Sequence, residues 1–78
     1  MIELISLTKE VRKDLAAKIN SLVVAEMMQK MAIEQGNSKS WKLWKQAEID
    51  DTLYLLDKYD IVLPNAESFS LERARNAA

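Results

Sequence analysis

Apolar residues recur at helical spacing through residues 8–35, a stretch that contains neither Pro nor Gly. Thr8 stands at its start and is a residue type that caps helix N-termini well. Side chains three and four positions apart share one side of a helix, so this spacing predicts a helix with one buried face. The predicted buried stripe consists of Val11, Leu15, Ile19, Leu22, Val23, Met27 and Met31. Val24 and Met28 widen the stripe, which predicts deeper burial in the second half of the helix.

The length of this first helix sets a constraint on the fold. A continuous helix over residues 8–35 would be about 42 Å long at about 1.5 Å per residue. A compact domain of this size is only roughly 30 Å wide. Either the helix breaks, or a second copy of the chain covers the part that extends beyond the core. Asn20 and Ser21 are poor mid-helix residues and good caps, so the sequence favours a break there, with dimerisation as the alternative.

A tight turn at Gly36 is predicted to separate this helix from the next. Gly36 suits the left-handed conformation that follows many helix C-termini. Asn37 or Ser38 suits the N-cap of a second helix, because both side chains can accept a hydrogen bond from a free backbone N–H. The second helix is then predicted over residues 38–48.

The rest of the chain is predicted to form further short elements. The apolar face of the second helix does not continue into residues 49–59, which predicts a turn and a third helix capped by Asp50 or Asp51. Residues 61–64 form a short extended apolar piece, since the proline that ends it disfavours a helical conformation just before it. A last helix is predicted over residues 65–78. Its expected anchors are Phe69 and Leu71.

Together these elements predict an all-α fold in which three to four helices form a small bundle, with the longest helix N-terminal. Residues 1–7 alternate imperfectly and are compatible with a short strand or an extended arm. At 78 residues the chain has room for one core, so residues 1–78 are expected to form a single helical domain.

The composition excludes several classes of catalytic and ligand-binding site. The chain has no His and no Cys, and its single Gly excludes a glycine-rich phosphate loop. We therefore expect a protein that is not an enzyme and that uses no cofactor, metal or small-molecule substrate. The net charge of −1 counts modestly against nucleic acid as a partner. The start of the chain does not fit a signal peptide and no apolar run is long enough for a membrane span, so a cytoplasmic protein without membrane contact is expected.

One short segment has the composition of a contact surface. Both tryptophans of the chain and three of its eleven basic residues fall within residues 39–45. On a helix, Lys39, Lys42 and Lys45 form a row beside Trp41 and Trp44. Trp is enriched at the centres of protein interfaces, and a basic row beside aromatic rings can also bind nucleic acid. Alternatively, the indole rings fill a core that is poor in other aromatic side chains.

Two further groups of residues are candidate contact residues, and each also has a simpler structural explanation. Met27, Met28 and Met31 have flexible side chains that suit an adaptable interface, although Met more often fills gaps in a core. An acidic patch could meet a basic partner, but a solvated helix face is the more ordinary interpretation. The patch consists of Glu48, Asp50, Asp51, Asp57 and Asp60.

The segment from Ala32 to Gly36, followed by residues 37–40, resembles the Ala-xxx-Gly turn of helix-turn-helix domains of the phage-repressor type. The resemblance covers residues 32–63 and implies DNA binding. Gln35 and Asn37 depart from the pattern, because they stand where apolar residues should hold the two helices together.

These observations predict a small regulatory or adaptor-like protein that binds another protein, or itself. The expected contact residues are Trp41, Trp44, Lys39, Lys42, Lys45, Met27, Met28 and Met31. The alternative is a DNA-binding helix-turn-helix regulator.

Overall fold

The computed structural model describes residues 8–77 and contains three α-helices. Helix α1 spans Lys9–Glu34, α2 spans Ser38–Tyr59 and α3 spans Ala66–Ala77. Between residues 8 and 77 there is no strand. The predicted all-α fold with its longest helix at the N-terminal side is confirmed. The strand or arm expected at residues 1–7 lies outside the described part of the chain.

Helix α1 begins where the sequence predicts but does not break. Thr8 caps it, and the Thr8 Oγ1 accepts a hydrogen bond of 3.2 Å from the backbone N–H of Val11. The predicted break at Asn20 and Ser21 is wrong, because α1 is continuous through both residues. The Ser21 hydroxyl donates to the carboxylate of Asp51 on α2 and does not cap a new helix. The molecule measures 44 × 30 × 17 Å, so its long axis accommodates the unbroken helix.

The turn between α1 and α2 follows the predicted capping chemistry. Gly36 adopts φ of 65°, the left-handed conformation. Its backbone N–H donates to the Ile33 carbonyl and the N–H of Asn37 donates to the Ala32 carbonyl, the pattern of a Schellman motif. The Asn37 side chain then caps α2 by accepting a hydrogen bond of 3.0 Å from the Ser40 N–H.

Helix α2 is also longer than predicted. The expected turn near Asp50 and Asp51 is wrong, because one helix runs from Ser38 to Tyr59. Asp51 bonds to α1 through Ser21, so its carboxylate makes a tertiary contact and does not cap a third helix. The helix ends at Asp60, which has a left-handed backbone with φ of 56°.

Helices α1 and α2 form an antiparallel hairpin, and α3 packs on α2 alone. Contacts from Asp14 to Tyr59 at one end and from Gln29 to Trp44 near the other define the antiparallel order. The two helices of a helix-turn-helix motif cross at a steep angle, whereas α1 and α2 lie side by side along their length. DNA binding itself stays a prediction.

The resulting bundle is open. Within the described residues α3 contacts α2 and not α1, so no three-helix core is enclosed. Phe69 anchors α3 as predicted, but Leu71 is exposed and does not. The apolar interior is small and consists of Ala25, Ala32, Leu53, Leu55, Ala66 and Phe69.

Candidate interaction surface

The outward face of α1 carries six of the nine large apolar side chains that are exposed on the described chain. Six large apolar side chains of this helix are between 45% and 68% exposed. They are Ile19, Val23, Val24, Met27, Met31 and Ile33, and we call them the outer stripe. Five of the six were predicted to be buried, and that prediction is wrong. The deeper burial expected for the second half of α1 is wrong for the same residues.

The apolar side of α1 faces outward because of the residues that pack against α2. Ala25 and Ala32, seven positions apart, are the two buried residues of α1. Small side chains let two helix backbones approach closely, so α1 packs on α2 through its small residues. Val23 and Met27 each lie about 200° around the helix from Ala25, on the side away from α2.

Polar contacts complete the seam between the two helices. Asp14 accepts hydrogen bonds from the hydroxyls of Tyr54, at 2.7 Å, and Tyr59. The Tyr54 hydroxyl bond, followed by that of Tyr59, holds the pKa of Asp14 below its usual value, and Lys58 contributes further. Asp51 accepts the Ser21 hydroxyl bond and lies 3.8 Å from the Lys18 Nζ. A hydrogen-bonded polar seam therefore replaces much of the apolar packing expected here.

Glu48 is the most buried charged residue of the described chain, with 6% of its surface exposed. Its carboxylate accepts hydrogen bonds from Gln29 at 2.9 Å, Lys45 at 3.3 Å and Asn65 at 3.4 Å. Burial raises the pKa of Glu48, but the bonds from Gln29 and Lys45 outweigh burial and leave the pKa below its ordinary value. The interpretation of the acidic patch as a solvated face is therefore wrong for Glu48, and Asp51 is only partly exposed.

The structure separates the side chains of residues 39–45, the predicted Trp/Lys block, into exposed and internal ones. Lys39 and Lys42 are exposed, whereas the Lys45 Nζ lies 3.3 Å from Glu48 and 5.1 Å from the centre of the Phe69 ring. Lys45 thus makes internal contacts and does not extend an exposed row of three cations. Trp41 and Trp44 are both half-buried. The Trp44 carbonyl also accepts a hydrogen bond of 3.4 Å from the Gln29 side chain.

Two grooves adjoin the outer stripe. An open, largely apolar groove of about 370 Å³ lies at the turn between α1 and α2, where Trp41 and Ile33 line it. A second groove of about 330 Å³ lies between α1 and the segment that precedes α3, with Glu48 and Thr52 of α2 also lining it. Ile19, Val23 and Leu63 are among its lining residues. The outer stripe therefore continues into concave apolar surface near both of its ends.

Of the predicted methionines, Met27 and Met31 belong to the outer stripe, while Met28 is half-buried. The structure thus brings Met27 and Met31 together with residues that sequence reasoning assigned to the core. The available signal was a second periodicity, in which small or polar residues follow the three-four spacing of a helix seam. These residues are Asp14, Lys18, Ser21, Ala25 and Ala32.

Within residues 8–77, no three acidic side chains lie close enough together to hold a metal ion. None of the three described helices is both long and apolar enough to cross a membrane. Comparisons with protein-family models, curated proteins and solved structures found no match for this chain.

Proposed function

We propose that this protein is a non-catalytic regulatory or adaptor-like protein that acts by binding another polypeptide through the outer stripe of α1. The observation that supports this best is the apolar surface itself. Folded chains that act alone rarely expose a contiguous apolar patch of more than a few hundred Å², and larger patches mark interaction sites. Covering the outer stripe would remove side chains such as Met27 and Val23 from water, which favours association.

The chemistry of the stripe suits a helical partner. Ile19, Val23, Met27 and Met31 follow one another at intervals of four residues along α1. A second amphipathic helix can pack its own apolar residues along such a row, as in helix-helix and helix-in-groove recognition. The two methionines add adaptability, because their unbranched side chains can adjust to a partner surface.

The predicted Trp/Lys block forms the second part of the proposed surface. Trp41 lines the groove at the turn together with Ile33, so its ring is close to one end of the outer stripe. Lys39 and Lys42 are exposed on the first turns of α2 and could contact acidic groups at the rim of a partner. Trp44 and Lys45 would then act by holding α2 in place through their internal contacts.

Photo-crosslinking in the cells that produce the protein tests this proposal. A photoreactive phenylalanine analogue replaces Met27 in one variant and the exposed Glu67 of α3 in a control variant. We expect a covalent polypeptide adduct from position 27 and none from position 67. An adduct with nucleic acid from position 27 would favour the DNA-binding alternative. The absence of any polypeptide adduct at position 27 would contradict the proposal.

Salt dependence separates the two functions further. Binding through an apolar stripe should change little with ionic strength, whereas binding to DNA weakens steeply because counterions are released from the phosphates. The Lys39→Gln, Lys42→Gln double variant should therefore retain most of its binding to a polypeptide. Loss of all binding in that variant would support DNA as the partner.

A further inference from the structure

We propose that the polypeptide covering the outer stripe is a second copy of this chain, with the two α1 helices antiparallel across a twofold axis near Val23. This inference rests on the proposed function, because it uses the same surface and names its occupant. A twofold interface is formed by one surface patch that must be complementary to itself. The outer face of α1 meets this requirement in charge and in side-chain size.

The charge along α1 is asymmetric. Lys9, Arg12 and Lys13 are exposed near its start, and no carboxylate of the described chain forms an ion pair with them. Near its end, Glu34 is exposed and also lacks an ion pair within the described residues. A parallel pair of helices would set the basic ends against each other. An antiparallel pair centred on Val23 instead sets Arg12 of one copy opposite Glu34 of the other.

Near the axis the same register pairs apolar side chains with one another, while Ile33, farther out, lies opposite Lys13. Val23 meets its own counterpart at the axis, and Ile19 lies opposite Met27. Asn20 lies opposite Glu26, where its amide can donate to the carboxylate of the other copy. Asn20 is exposed, and this arrangement gives its amide a partner. Leu15 lies opposite Met31, so apolar contact extends for about two turns on each side of the centre.

The groove beside the stripe gives Met27 of the second copy a place to pack. Ile19 and Val23 form one wall of the 330 Å³ groove and Leu63 contributes to the other. In the antiparallel register Met27 approaches Ile19, at the edge of this groove. A flexible Met side chain is well suited to fill such an irregular space. Both copies would make this contact, as the twofold symmetry requires.

Sedimentation equilibrium over a range of protein concentrations tests for the second copy. We expect the natural chain to show twice the monomer mass and Val23→Lys to be monomeric. Leu71→Lys is the matched control, because Leu71 is 59% exposed on α3, which packs on α2 and not on α1, and it should leave the dimer unchanged. Circular dichroism of Val23→Lys should show an intact helical fold, since this side chain is exposed in the monomer. A monomeric natural chain at all concentrations would overturn the inference.

Single cysteines test the antiparallel register, because the chain has no cysteine of its own. Val23→Cys should form a disulfide-linked dimer on mild oxidation, since the two thiols meet at the axis. Ile19→Cys alone should not, because its two copies lie about 12 Å apart along the helices. Mixing Ile19→Cys with Met27→Cys should restore cross-linking. Equal cross-linking of each single variant with itself would indicate a parallel pair and contradict the proposal.

A charge exchange tests the same register in solution. Arg12→Glu should weaken the dimer roughly tenfold, because it sets two acidic residues opposite each other in both symmetric contacts. Adding Glu34→Arg to that variant should restore most of the affinity. If the double variant is weaker than Arg12→Glu alone, the proposed opposition of these residues is wrong.

The outcomes separate this inference from the proposed function. If the chain is monomeric but still gives an adduct with a different protein at position 27, the dimer inference is wrong and the proposed binding of a polypeptide stands. A chain that is monomeric and gives no adduct would overturn both.

Discussion

The two sides of α1 differ in a way that reverses the usual distribution of residues. The side that packs on α2 carries small and polar residues such as Ala25 and Ser21, whose contacts are specific but bury little apolar surface. The opposite side carries large apolar residues such as Val23 and Met27, which remain about half exposed. Helix α1 thus directs large apolar side chains outward, and the proposed function assigns them to a partner. The comparison teaches that the fold and the proposed contact surface use different faces of one helix.

The largest loss of stability is expected for a substitution in the interior, which can be compared with one on the exposed surface of the same helix. Leu55 is 1% exposed, whereas Leu43 on the same helix is 67% exposed. Leu55→Ala should lower the free energy of unfolding by about 2–5 kcal/mol, because it leaves a cavity. Leu43→Ala, the matched control, should change it by less than about 0.5 kcal/mol. Urea titration followed by circular dichroism measures both, and equal effects would show that the interior is assigned incorrectly.

A substitution on the side of α1 that packs on α2 tests whether small residues let the two helices approach closely. Ala25 is completely buried, so Ala25→Leu should force the two helices apart and cost about 1–3 kcal/mol of stability. Val24→Leu, the neighbouring substitution on the outer stripe, should be nearly neutral. Thermal unfolding of the two variants side by side provides the measurement. A stable Ala25→Leu would mean that α1 and α2 are not closely packed there.

The polar contacts of the seam should have a similar or somewhat smaller effect. Glu48→Ala would leave the amides of Gln29 and Asn65 without their acceptor, which should cost about 1–2 kcal/mol. Glu72→Ala removes an exposed carboxylate of α3 that makes no described hydrogen bond or ion pair, and it should cost little. If denaturant titration gives equal values, Glu48 lies in water and not among these donors.

The pH dependence of stability should give the smallest effect. The pKa values of Asp14 and Glu48 are lowered in the folded protein from ordinary values of 3.8 and 4.5. The unfolded chain therefore binds more protons in this range, and stability rises with pH there. The stability that these two carboxylates contribute is complete when the pH is above their ordinary pKa values. It is lost as the pH falls through their lower pKa values in the folded protein. The melting temperature should decline between about pH 5 and pH 3, less steeply in Glu48→Gln.

The elements that the sequence predicts correctly depend on local chemistry. Thr8, Gly36 and Asn37 determine where α1 begins, where it ends and where α2 begins, and each acts on backbone groups a few residues away. Residues 61–63 are not helical and Pro64 begins a turn, so the predicted interruption before the last helix also follows from a local effect, the restriction that proline imposes.

The features that the sequence does not predict depend on distant partners. Ser21 and Asp51 resemble helix caps in isolation, but each satisfies the other across the seam. The side of α1 that is buried was predicted wrongly because an apolar stripe at helical spacing can face the core or another molecule. Periodicity alone does not distinguish these cases. Of the residues in the proposed surface, Met27, Met31 and Trp41 were contact candidates from the sequence, while Ile19, Val23 and Val24 were assigned to the buried face and Ile33 to neither.

The oxidation rates of three neighbouring methionines test the central claim most directly. Dilute hydrogen peroxide is applied at increasing protein concentration, and mass spectrometry follows the sulfoxides of Met27, Met28 and Met31. We predict that Met27 and Met31 react rapidly in dilute protein and become protected as the concentration rises, while Met28 reacts at a constant slower rate. Equally rapid oxidation of Met27 and Met31 at every concentration, with and without extract of the producing cells, would contradict the account.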